Sequence, residues 1–139
     1  MVLTTDDHIE IQQLYTRYQL GVDGVLGVDD WLSCWTDDGE HRMYLWAPNY
    51  PKGLRELRAA AERVMGARSR PTYHWTSSPH ILPAAFGATG YCYCLGIVEG
   101  DDAQANVGPA LLYEDELVRD RGAWKFRRRT IGPRGSRTD

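Results

Sequence analysis

The order of patterns along the chain predicts an α+β fold, with a curved, mostly antiparallel sheet closed on one side by N-terminal helices. Three observations carry this. Apolar side chains recur at helical spacing between residues 11 and 22, residues 72–131 divide into four strand-like runs separated by turn residues, and the strands follow the helices instead of alternating with them. A strongly bent sheet wrapped over a long helix makes a cone, and the open end of a cone is a pocket.

The first helix is the clearest element. Thr4 or Thr5 caps it, Asp6 and Asp7 suit its positive end, and Ile11, Leu14, Tyr15, Tyr18 and Val22 form one apolar stripe. Gly21 and Gly24 bracket Asp23, so the helix stops about there and Asp23 projects from its C-terminus. That end carries a partial negative charge and disfavours an unpaired carboxylate, so Asp23 is expected to be hydrated or paired with a donor such as an imidazole.

A short second helix is read over residues 28–35, with Trp31, Leu32 and Trp35 on one side. Asp37-Asp38-Gly39 is a turn signal, and residues 40–46 read as a strand with His41, Met43 and Leu45 on one face. A third helix over residues 54–65 buries Leu57, Ala60, Ala61, Val64 and Met65. The four later strands are read over 72–82, broken near Pro79, and over 88–98, 108–119 and 123–131. Residues 119–122 close the last two as a tight hairpin. Residues 1–131 form one domain, and residues 132–139, with no apolar anchor, are expected to be a mobile tail.

The composition narrows the function. A chain of 139 residues buries roughly two-thirds of its unfolded surface, enough for a core and a pocket. A net charge of −3 offers no basic field for nucleic acid, and no apolar run is long enough to span a bilayer. The N-terminus lacks a basic segment followed by an apolar one, so a cytoplasmic protein is expected. Cys34, Cys92 and Cys94 read as small buried hydrophobes, and no residue spacing suggests a metal site. Five Trp and eight Tyr suit a cavity that holds a hydrophobic ligand, or a contact between subunits. Tyr44, Trp46, Tyr73, Trp75, Tyr91, Tyr93 and Tyr113 are candidates for either place.

His74, in the run Thr72-Tyr-His-Trp-Thr-Ser-Ser78, is the candidate for chemistry together with Asp23. A carboxylate that orients an imidazole makes a general base usable near neutral pH. Arg129 ends the charge run Arg127-Arg128-Arg129, which ordinarily reads as solvated. Strict alternation sets Arg129 on the face opposite Trp124 and Phe126, so an inward Arg129 requires a bulge.

Three segments resemble the SnoaL-like branch of the nuclear-transport-factor-like superfamily, whose fold is a cystatin-like α+β cone or barrel. They are the helix that runs from Ile11-Gln-Gln-Leu-Tyr to Leu-Gly-Val-Asp23, the His74 strand, and Tyr113 to Phe126. Trp35-Thr-Asp-Asp-Gly39 also fits. Within that superfamily the chain is similar to the hexachlorocyclohexane dehydrochlorinases, and also resembles scytalone dehydratase and bile acid dehydratase. The resemblance implies His74 as base, Asp23 as its orienter and Arg129 as the group that meets a departing anion or oxyanion. It implies no cofactor and a homotrimer, with a dimer as the other option.

Departures matter as much. The dehydrochlorinase pocket Lys falls on Tyr18, its pocket Trp falls close to His41, and its Cys two residues before the histidine falls on Thr72. Tyr18 moves the site toward the dehydratases, whose pocket tyrosines hold a carbonyl or hydroxyl. Tyr18, His41, Met43 and Trp31 are therefore the expected substrate-binding residues. The expected function is a cofactor-independent lyase, a dehydratase or dehydrohalogenase, acting on a hydrophobic and cyclic small molecule. The alternatives are an isomerase or polyketide cyclase working through an enolate, and a non-catalytic binding protein in which Asp23 and His74 lie apart.

Overall fold

The computed structural model describes residues 2–136. The chain runs α1 (Thr5–Val22), α2 (Val28–Leu32), β1 (Trp35–Met43), α3 (Leu54–Gly66), β2 (Thr72–Thr76), β3 (His80–Ala84), β4 (Gly87–Glu99), β5 (Ala105–Asp120) and β6 (Ala123–Gly132). The strands form one sheet in the order β1-β6-β5-β4-β2, with β3 also paired to β4. Only β1 and β6 run parallel. The sheet is open, with β1 at one edge and β2 and β3 at the other, so the expected cone is a curved sheet and not a closed barrel.

Helix α1 forms as its spacing predicts, with the whole apolar stripe buried. Thr4 is the cap: its hydroxyl accepts from the Asp7 N–H at 3.1 Å, and the Asp7 carboxylate accepts from the Thr4 N–H at 2.8 Å. Asp7 also accepts from the Trp124 indole at 2.9 Å and from Arg119 at 2.6 Å, which fastens the helix start to the β5–β6 hairpin.

Four boundaries differ from expectation. Helix α2 ends at Leu32, because Trp35 already pairs with Phe126 in the sheet. Trp31 still reaches the core because Gly21 admits it: a Cβ at Gly21 would lie 2.8 Å from that of Trp31. Asp37-Asp38-Gly39 is not a turn between elements but an irregularity inside β1, between the Trp35 and Glu40 pairings. The strand then stops at Met43, and residues 44–46 form a 3-10 turn. The tail is shorter than expected, since Gly132 belongs to β6 and residues 134–136 make a 3-10 turn. Residues 137–139 lie outside the described residues.

The hairpin from β5 to β6 turns at Arg121 and Gly122, both at positive φ. Beyond Phe126 the pairing slips by one residue. Leu117 faces Phe126, but Glu116 faces Arg128, so Arg127 is extra. The bulge moves the buried parity from Trp124 and Phe126 to Arg129 and Ile131. Arg127 and Arg128 instead meet Glu116 on the outer face.

Arg129 is 1% exposed and grips Asp115 with two hydrogen bonds, Nε to Oδ1 at 2.7 Å and Nη2 to Oδ2 at 2.8 Å. The Tyr15 hydroxyl donates to the same carboxylate. The rings of Tyr15, Tyr18, Tyr113 and Phe126 surround the guanidinium, with the Phe126 centroid nearest at 4.1 Å. Burial alone would lower the Arg129 pKa, but Asp115 raises it well above the ordinary value, so the guanidinium stays ionised.

The structure also sorts the aromatics. Trp46 and Tyr113 face inward to a cavity, whereas Tyr73, Trp75, Tyr91 and Tyr93 lie exposed on the outer face of the sheet. Among the described residues no helix is long and apolar enough to cross a membrane.

Breaking a buried ion pair from one side leaves an uncompensated charge. Asp115→Ala is expected to cost about 3–5 kcal/mol in urea denaturation. Tyr15→Phe, which removes one hydrogen bond to the same carboxylate, is expected to cost about 1–2 kcal/mol.

Candidate active site

Asp23 ties the C-terminus of α1 to β2 through three hydrogen bonds. Asp23 Oδ2 accepts the His74 backbone N–H at 2.7 Å, and Oδ1 meets His74 Nδ1 at 2.5 Å and accepts the Thr72 hydroxyl at 2.9 Å. One helical turn earlier, Gln19 accepts from Thr76 at 2.7 Å. Arg68 donates to the Val22 carbonyl, placing a cation at the negative end of the helix. Burial pushes the Asp23 carboxyl up, but the hydrogen bonds and charge of His74, with the Thr72 hydroxyl, hold it below the ordinary value. Asp23 and His74 are therefore within hydrogen-bond reach, contrary to what the binding-protein alternative expects.

His74 lines a cavity of about 370 Å³ between the helices and the concave face of the sheet. Tyr18, Trp31, His41 and Met43 line it too, so one pocket gathers every residue expected to bind substrate. The sheet bends where the pairing of β4 with β5 is interrupted between Leu95 and Ile97, and Gly96 and Pro109 at that bend form part of the wall. Most of the remaining wall is apolar, including Val22, Leu45, Val64, Leu111 and Ile131.

Tyr18 and His41 are both buried, and the Tyr18 oxygen lies 2.8 Å from His41 Nε2. Burial, helped by the positive charge of Arg129 and by His74, pushes the His41 imidazole down to about 3, against a weaker pull from its own backbone carbonyl. Burial pushes the Tyr18 phenol up, with Arg129 opposing. Both groups are neutral at physiological pH, so His41 is not the second acid/base that its residue type suggests. Cys94 also lines the cavity, and burial pushes its thiol up, which argues against a thiolate nucleophile.

Arg129 needs correction. The bulge does turn it inward, but toward Asp115, and it does not line the cavity. Tyr18 and Tyr113, which do line the cavity, stack against its guanidinium. The sequence marks Tyr15 only as part of the α1 stripe and gives no local signal for Asp115. In strict register with the hairpin Asp115 would face Arg128, and only the extra residue delivers Arg129 to it. Among the described residues no group of three or more His, Cys, Asp or Glu side chains is placed to hold a metal ion.

A family model described as a SnoaL-like domain matches residues 4–130. Solved structures share the fold. A protein of unknown function with a cystatin-like fold from Nostoc punctiforme is 24% identical, covering 94% of this chain and 93% of that one at a TM-score of 0.80. Aln2 from a Streptomyces species is 22% identical, covering 96% and 94% at a TM-score of 0.79. ActVI-ORFA from Streptomyces coelicolor is 23% identical, covering 89% and 95% at a TM-score of 0.78. A search of curated proteins returns no match.

The depressed Asp23 pKa makes part of the stability pH-dependent. A carboxylate held below its unfolded value stabilises the fold above that value and loses this as pH falls through the folded pKa. The urea-midpoint gap between wild type and Asp23→Asn is expected to be present at about pH 5 and to close as pH falls below the ordinary 3.8. A gap that persists to about pH 2 would show that Asp23 acts other than through its charge.

Proposed function

The chain belongs to the SnoaL-like domain family, and on that premise we propose that it is a cofactor-independent lyase of the dehydratase type, acting on an uncharged, ring-bearing small molecule. The observation that carries this is the Asp23–His74 pair at the cavity wall, with Asp23 Oδ1 2.5 Å from Nδ1. Asp23 accepts the Nδ1 proton and so fixes the tautomer, leaving Nε2 bare to act as base.

In the proposed reaction Nε2 takes a proton from substrate carbon. The electrons of that C–H bond form a C=C bond, the neighbouring C–O bond breaks, and the oxygen leaves with the proton that His74 holds. Water departs and neutral His74 is restored, so no other reactant is needed. The imidazolium formed midway lies against the Asp23 carboxylate, whose charge lowers its cost. The Tyr18 hydroxyl, on the same cavity wall, holds the departing oxygen.

Loss of water is favoured over loss of halide by the position of Arg129. Its charge is spent on Asp115 behind the wall, so it does not meet a leaving chloride. The likeness of Tyr18 to the pocket tyrosines of scytalone dehydratase and bile acid dehydratase points the same way. An isomerase or cyclase acting through an enolate shares the proton-abstraction step, and the neutral Tyr18–His41 pair suits an enolate oxygen as well as a departing hydroxyl.

A β-hydroxyketone tests both readings. The probe 3-hydroxy-1-tetralone carries a proton next to its carbonyl and gives fluorescent 1-naphthol on loss of water. Wild type is expected to form 1-naphthol, and His74→Ala to slow this by about 10²–10⁴ with unchanged circular dichroism. Full activity in His74→Ala sinks the base assignment. Deuterium exchange beside the carbonyl without 1-naphthol selects the enolate reading.

A further inference from the structure

The two ring nitrogens of His41 have unequal surroundings. Nε2 lies 2.8 Å from the Tyr18 oxygen, while Nδ1 is shut off from solvent and meets no acceptor in hydrogen-bonding geometry, its own backbone carbonyl exerting only a weak pull. A buried N–H without an acceptor forfeits its hydration outright, whereas a bare acceptor lone pair is the commoner and cheaper orphan. The proton therefore belongs on Nε2, which then donates to the Tyr18 oxygen.

This arrangement decides where the Tyr18 proton goes. His41 has no second lone pair facing it. Arg129, stacked on the Tyr18 ring at 4.3 Å, can only donate, and so can the indole of Trp31, whose ring lies 5.8 Å away. The acceptors left near it, the Cys94 sulfur and the Tyr113 oxygen, belong to residues that line the cavity with Tyr18, so the direction left is toward the cavity. The titratable groups around the pair are Tyr15 on α1, His74 on β2, Cys92 and Cys94 on β4, Tyr113 and Asp115 on β5 and Arg129 on β6. Of these, Arg129 and Asp115 are the charged pair, and they neutralise each other.

We infer that His41 is a positioning residue: as a neutral Nε2–H tautomer it donates to Tyr18 and turns the Tyr18 hydroxyl proton into the cavity, where it binds an acceptor oxygen of the ligand. This rests on the proposed reading only in taking the cavity as the ligand site. It defines the ligand class more closely, as an uncharged ring system bearing a carbonyl or hydroxyl oxygen within reach of Tyr18. Among the described residues no Lys or Arg side chain lines the wall to offset the burial of a carboxylate. Hydrogen bonds in such a chain polarise one another, so the His41 donor strengthens the one Tyr18 makes.

Two measurements test this without turnover. Long-range proton–nitrogen correlation spectra of the imidazoles, assigned with His8→Gln, His74→Gln and His80→Gln variants, should show His41 protonated at Nε2 and unchanged from about pH 8 to about pH 5. An Nδ1-protonated His41, or one that titrates in that range, overturns the inference. Binding then reads the consequence. Wild type is expected to bind 2-tetralone about tenfold more tightly than tetralin, the same skeleton without the oxygen. Tyr18→Phe should bring the ratio close to one, and His41→Leu should lower it while His41→Gln, which keeps a donor, restores part of it. A ratio unchanged by Tyr18→Phe overturns the assignment. His74→Ala should leave the ratio intact, so failure of the base and failure of the donor are read separately.

Discussion

The Arg129–Asp115 ion pair beneath α1 is the constraint around which the rest of the molecule is arranged. Two charges this deep are tolerated only when their hydrogen-bonding capacity is met, since desolvation otherwise outweighs their attraction. Here the pairing is bidentate, Tyr15 satisfies the carboxylate further, and aromatic faces enclose the guanidinium. Tyr15 and Tyr18 lie three residues apart on one face of α1, so both rings settle over the same cation. His41, Arg129 and Asp115 stand abreast on β1, β6 and β5, so burial, helped by the charge that orders the core, keeps His41 neutral.

Helix α1 crosses the concave sheet with a carboxylate at each end. Asp7 ties its start to the β5–β6 hairpin, and Asp23 ties its end to β2. The second fastening also carries the proposed base, because the carboxylate that holds the β2 backbone also meets the His74 ring. A helix C-terminus is a poor place for a lone negative charge, yet three donors converge on Asp23 and Arg68 covers the neighbouring carbonyl. The cavity lies toward the Asp23 end of α1, where Tyr18, Val22 and His74 all line it.

Much of this was legible residue by residue. The stripe on α1, a cap at Thr4 or Thr5, the helix end at Asp23 and the hairpin at residues 119–122 all follow from local spacing and charge, which also set Asp23 to be either hydrated or paired with a donor. Boundaries near the sheet edge were not, since Trp35 is drawn out of its helical reading by pairing with Phe126. The surplus of Trp and Tyr was visible, but its division between cavity wall and outer face was not. Periodicity places a ring on one face of a strand without saying which face is concave.

The sequence alone determined the elements, their order and the chemistry available at Asp23, His74 and Tyr18, because helix periodicity, capping and turn formation act over a few residues. The tertiary structure alone decided the role of Arg129. One extra residue at Arg127 inverts the parity of β6, and whether such a bulge forms depends on the pairing of β6 with β5 and β1 and on the burial of Asp115 beneath Tyr15. That long-range balance turned the expected partner of a leaving anion into the buried counter-charge of Asp115, set behind the wall that Tyr18 forms.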